Sequence, residues 1–160
     1  MQNLPTQCLA VNIGDAARRP NGTVLAFDFG EKRIGVAVGN LELCLAHPLT
    51  TISEENTVER FGRIANLVKE WGPALLVVGL PTHADGTEHA LTRLSRRFAR
   101  RLEGRFGIKT MLVDERYTSI GAELALQESG VKKIKQKPVL DQVAAQLILQ
   151  SYFDRQDATA

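Results

Sequence analysis

The chain predicts an α/β fold, a five-stranded mixed sheet with helices on both faces, and three observations carry that expectation. The segment TVLAFDFGEKRIGVAVG, from Thr23 to Gly39, reads as two short apolar strands joined by a tight turn. Two later apolar runs each follow a segment of helical period, and a crossover through a helix sets neighbouring strands parallel. One of those runs, Ala74 to Val78, is apolar without polar alternation, the mark of a central strand covered on both faces.

Size and composition agree with one globular domain. There are 160 residues, 44% hydrophobic and 24% charged, enough to bury a core and too apolar for a disordered chain. A formal charge of +2 is too slight to indicate a nucleic-acid partner by itself, so the local distribution of charge has to carry that argument. No apolar run approaches the roughly 18 residues of a membrane span, which argues against a membrane partner. Cys8 and Cys44 form no C-x-x-C pair and come with no secretion signal, so a reduced cytoplasm is the expected setting. Residues 1–22 read as an N-terminal extension: a short patch from Cys8 to Val11, then Arg18-Arg19-Pro20-Asn21-Gly22, which is turn chemistry. Residues 23–154 form the domain, and 155–160 are a tail.

In order, Thr23 to Phe27 is the first strand, Gly30 sits in the turn, and Ile34 to Val38 is the second. A third strand falls within Leu41 to Ile52, at Pro48 to Ile52. Ser53 is placed to cap a helix with Glu54 and Glu55 in its first turn. Val58, Phe61, Ile64, Ala65, Val68 and Trp71 share one face of it, and Gly72-Pro73 stops it. After the strand at Ala74 to Val78, a second helix carries a core stripe of Leu91, Leu94, Phe98, Leu102 and Phe106. The rest of its surface is largely arginine, from Arg93 to Arg105. That run is either a solvated face or a phosphate-contacting surface. Lys109 to Val113 is the fifth strand, followed by Asp114-Glu115-Arg116, and Pro138 is placed to start the last helix.

Three acidic positions stand out. Asp28 closes an apolar strand, where a carboxylate needs a donor or a metal as partner; bonding the turn amides is the plain alternative. Asp114 and Glu115 lie at another strand end, and adjacent strand residues face opposite ways, so the sequence leaves open which of the two points at a site. Asp141 shares a helix face with Ala144, Ala145, Ile148 and Tyr152, although an acid in a first helical turn also complements the dipole. Ligands of open α/β sheets bind at the carboxyl ends of the parallel strands. Three carboxylates gathered there suit Mg²⁺ or Mn²⁺, hard cations that can activate water against a phosphodiester. His47, His83 and His89 have no zinc spacing, and neither a P-loop nor G-x-G-x-x-G is present.

The strings AFDFGEKRIGVAVG, VVGLPTHADGTEH, VDERYTSIGAELAL and LDQVAAQLILQSYFD resemble the YqgF family, bacterial proteins related to the RuvC resolvases. The resemblance runs from Val24 to Asp154. It implies a ribonuclease H-like fold, a divalent-metal nuclease and a role in trimming the 5′ end of the small-subunit ribosomal RNA precursor, with Holliday-junction cleavage as the older suggestion. It also assigns Asp28, Glu115 and Asp141 as the catalytic metal ligands, choosing Glu115 over Asp114. Pre-rRNA is then the expected partner, with structured DNA and ribosomal assembly intermediates as further ones, and the chain is expected to be a monomer or weak dimer. Lys32, Arg33 and Arg116 stand beside the acids, and a loop from Val131 to Leu140 adds Lys132, Lys133, Lys135 and Lys137. All seven are candidate nucleic-acid contacts, although a solvated loop explains the lysines equally well. Two rivals remain: DFGEKRIGVA also resembles the phosphate loop of actin-like ATPases, which need two such domains, and a non-catalytic RNA-binding assembly module could share the fold.

Overall fold

The computed structural model describes residues 22–81, 90–114 and 133–159. Strands β1 (Thr23–Phe29), β2 (Ile34–Asn40) and β3 (Leu45–Ile52) are followed by helix α1 (Thr57–Trp71), β4 (Leu75–Leu80), α2 (Ala90–Phe106), β5 (Thr110–Asp114) and α3 (Lys133–Thr159). The sheet order is β3-β2-β1-β4-β5. β1, β2 and β3 pair antiparallel through short turns, whereas β1–β4 and β4–β5 are parallel. The mixed sheet follows from the connections, since hairpins reverse the chain and crossovers restore its direction.

Strand alternation divides the core in two. Val24, Ala26, Ala37, Val77 and Val113 face α3, which presents Ala145, Ile148, Leu149, Tyr152 and Phe153. Leu25, Phe27, Ile34, Val36, Leu76 and Val78 face the other way, onto Phe61 and Ile64 of α1 and Phe98, Ala99 and Leu102 of α2. Each such Leu, Ile or Phe contributes roughly 1.5–3 kcal/mol by leaving water, so both layers are needed.

Several boundaries differ from those the sequence predicts. Asn56, not Ser53, caps α1: its side-chain oxygen accepts from the amides of Val58 at 2.8 Å and Glu59 at 3.2 Å. Glu54 is engaged instead by Arg63, whose Nη1 lies 3.1 Å from its carboxylate. Val58 is 76% exposed, so the buried face of α1 is Arg60, Phe61 and Ile64. Gly72 ends the helix as expected, with φ 53° in the left-handed region. β3 starts at Leu45 rather than Pro48; it is an edge strand, where a residue without an N–H is tolerated, and the register shifts beside that proline.

In α2 the buried residues are Thr92, Ser95, Phe98, Ala99 and Leu102, a stripe rotated from the expected one, with Leu91, Leu94 and Phe106 only half-buried. Thr92 can lie inside because its hydroxyl donates to the Pro81 carbonyl. The last helix begins at Lys133, so Pro138 lies within it, and Lys133, Lys135 and Lys137 belong to a helix rather than to a loop. A proline near the start of a helix removes few backbone bonds, and the helix runs through it. Among the described residues no helix is long and apolar enough to cross a membrane.

Candidate metal and nucleic-acid site

Asp28 continues the parity of Val24 and Ala26 along β1, so it faces α3, half-buried at the carboxyl end of the central strand. Its partner across the β1–β2 ladder is Gly35. Paired positions share a face, and Gly35 puts no side chain there. A Cβ on Gly35 would stand 1.9 Å from the main-chain oxygen of Asp141 and 2.9 Å from its Cβ. The first part of α3 therefore rests directly on the backbone of β2, which sets Asp141 above the strand position next to Asp28. Farther along, Gly39 does the same for the later turns, where a Cβ would come within 2.9 Å of Leu149 and Phe153. Two glycines on one strand thus let the helix lie close, and the first of them sets Asp141 over the strand position paired with Asp28.

Arg33, in the turn between β1 and β2, supplies positive charge there. Its Nε donates to Asp141 Oδ2 at 2.6 Å, with the side chains 33% and 18% exposed. Charge-assisted bonds of this kind are about twice as strong as neutral ones. The turn itself is braced from beneath by Arg60, a residue the sequence analysis did not single out. Its Nη2 donates to the carbonyls of Gly30 at 2.8 Å and Glu31 at 2.6 Å, and its Nε to that of Glu54 at 2.7 Å. Burial lowers its pKa from the usual guanidinium value. The signal for it was present: four residues before Ile64, Arg60 borders the apolar stripe of α1, where a charge needs several acceptors.

The other predicted site residues divide by position. Lys32 is exposed in the same turn as Arg33. Lys133, Lys135 and Lys137 lie on the first turns of α3, ahead of Asp141. Glu115, Arg116 and Lys132 lie outside the described residues. On β5, Val113 packs in the α3-side cluster and pairs with Gly79, so Asp114 takes the opposite parity and belongs to the far face from Asp28. His47 is exposed, and His83 and His89 lie outside the described residues.

Among the described residues no group of three His, Cys, Asp or Glu stands ready to hold a metal ion. The donor chemistry nevertheless suits a hard divalent cation. Asp28 and Asp141 offer carboxylate oxygens on one face, and a guanidinium already lies against one of them. Mg²⁺ keeps several waters and takes only one or two protein carboxylates in many sites.

A five-stranded mixed sheet in this order, with an acid at the end of its central strand, defines the ribonuclease H-like class. Thermus thermophilus RuvC, solved in complex with a Holliday junction substrate, superposes with a TM-score of 0.52 and 18% identity, over 86% of this chain and 97% of its own; that likeness establishes the fold. Residues 22–155 match the RuvX family, described as Holliday junction resolvase, and the chain belongs to that nuclease family, whose other name is YqgF. Its relatives include a protein of Nitrosospira multiformis, 67% identical over 91% of this chain and 97% of its own length, and one of Nitrosomonas europaea, 60% identical over 91% and 99%. Both carry the description "Putative pre-16S rRNA nuclease".

Proposed function

We propose that the protein is a divalent-metal-dependent nuclease that hydrolyses phosphodiester bonds in the 5′ region of the small-subunit ribosomal RNA precursor, acting in the cytoplasm on ribosomal assembly intermediates. The observation that carries the reading is the approach at Gly35, which sets Asp141 on the face of the sheet that Asp28 occupies. The substrate comes from the description of relatives that are up to 67% identical over nearly the whole chain.

Asp28, Asp141 and Glu115 would hold Mg²⁺ or Mn²⁺. Held there, the ion would supply Lewis acidity that activates water and stabilises the departing oxygen. The chain's own residues do the rest. Asp28 sits on the rigid central strand, so its carboxylate is held in position rather than searching for it. Arg33 neutralises Asp141 before substrate arrives, and its fork suits a phosphate oxygen once Asp141 has another partner. Lys32, Arg116 and the lysines at 132, 133, 135 and 137 add charge along the path of the nucleic-acid backbone.

The test is cleavage of labelled precursor RNA and of a four-way DNA junction, with Mn²⁺, Mg²⁺ or EDTA, by the wild type and by Asp28→Asn. Metal-dependent cutting of the RNA that vanishes in the variant is expected. Cutting of the junction alone would transfer the substrate to the one named by the family description, and binding without cutting would leave an assembly module.

A further inference from the structure

A cavity lies on the other face of the sheet from Asp28 and Asp141. It has a volume of about 270 Å³ and opens between α1 and α2 at the carboxyl end of β1. Phe29, Phe61 and Phe98 supply its aromatic wall, and Arg60, Arg97 and Arg101 its charge; no carboxylate is among the described residues that line it. The rings form one cluster, with Phe29 and Phe98 4.8 Å apart between centroids and Phe61 and Phe98 5.9 Å apart. Guanidinium groups already lie against two of the rings: Arg60 is 5.6 Å from the centroid of Phe29, and Arg105 4.2 Å from that of Phe61. Arg97 and Arg101, one helical turn apart on α2, are exposed.

We propose that this cavity holds an unpaired nucleotide of the substrate strand, its base against Phe29 and its flanking phosphates on Arg97 and Arg101. The inference rests on the nuclease reading and deepens it. Aromatic faces with interleaved arginines are the combination that binds single-stranded nucleic acid: the rings stack any base, and the guanidinium forks take phosphate oxygens. The volume lies just below the roughly 300–1,000 Å³ of sites for drug-sized ligands, which suits one base and not a duplex. Phe29 follows Asp28 directly, about 3.8 Å away along the chain, and strand alternation turns the two side chains to opposite faces. A base lodged against Phe29 therefore anchors the strand where it crosses the end of β1, beside Asp28. Two of the six arginines of α2 thereby acquire a role that a merely solvated face would not have.

The test is fluorescence-anisotropy binding of a labelled single-stranded RNA, and of a blunt RNA duplex of the same sequence, to the full chain in EDTA. Arg97→Gln combined with Arg101→Gln alters only exposed side chains and should leave the melting temperature unchanged. Losing one stacked base, or the two guanidinium contacts to its flanking phosphates, lowers affinity by about tenfold. The double variant, and separately Phe29→Leu, is expected to weaken single-strand binding about tenfold while duplex binding changes much less. Unchanged single-strand affinity in the double variant, or an equal loss for strand and duplex, overturns the proposal. If the wild type binds through the cavity yet cuts nothing in Mg²⁺ or Mn²⁺, the nuclease reading falls and the cavity stands.

Discussion

The two faces of the sheet are built from different residues. Toward α3 the strands present Ala26, Gly35, Ala37 and Gly39, and one helix lies almost on the backbone. Toward α1 and α2 they present Leu25, Phe27, Phe29, Ile34 and Val36, and bulky aromatic side chains fill the layer. Small residues leave no freedom of position, because a carbonyl resting where a Cβ would be cannot slide. Large ones give more hydrophobic stabilisation but set a helix less closely. Asp28 and Asp141 sit on the first face and the aromatic–arginine surface on the second.

Variants on the two faces can break or sharpen that contrast. The largest effect falls on Asp28→Asn and Asp141→Asn. Each should lower metal-dependent cleavage by more than about 100-fold, since even an outer-shell partner of a metal costs about 10–100-fold. Their melting temperatures should stay near that of the wild type, as scanning calorimetry would show. Phe98→Ala, on the opposite face, should cost about 3–5 kcal/mol in urea unfolding while the folded fraction keeps its metal affinity. Gly35→Ala should cost about 3 kcal/mol or more by overpacking against main-chain atoms, and weaken metal binding, because α3 must lift and carry Asp141 away. If Phe98→Ala lost metal binding and Gly35→Ala kept it, the division of labour between the faces would be wrong. Asn56→Ala, at the exposed start of α1, should cost about 1 kcal/mol through the lost cap and leave cleavage unchanged.

Local pattern made much of this legible. The hairpin, the continuous run of β4 and the acid ending β1 depend on neighbours in sequence, and so does the apolar face of α3: Ala144, Ala145, Ile148 and Tyr152 are all buried. Features that depend on distant partners were not legible. Nothing local to Gly35 shows that a helix more than 100 residues later will rest on it. Ser53 and Asn56 are equally good caps by type, and the choice follows from the interactions of Glu54 with Arg60 and Arg63. α3 also carries Gln142, Gln146 and Gln150 at four-residue steps. Gln142 donates to Thr51 Oγ1 at 3.2 Å, Gln146 to the Ala46 carbonyl at 3.0 Å and Gln150 to that of Cys44 at 3.0 Å, while Gln150 accepts from the Ala46 amide at 3.1 Å. Gln146 and Gln150 thus bond the backbone of Ala46 in the edge strand β3, which would otherwise offer a template for another chain. In sequence they read as an ordinary polar border to an apolar stripe.

The most direct measurement is Mn²⁺ binding followed by electron paramagnetic resonance, on the wild type, Asp28→Asn and Asp141→Asn, without nucleic acid. If the two carboxylates share one site, each single substitution should weaken the bound signal by tenfold or more in affinity, with the fold intact by circular dichroism. Wild-type Mn²⁺ affinity in both variants would contradict it, and the approach of α3 at Gly35 would then be packing alone.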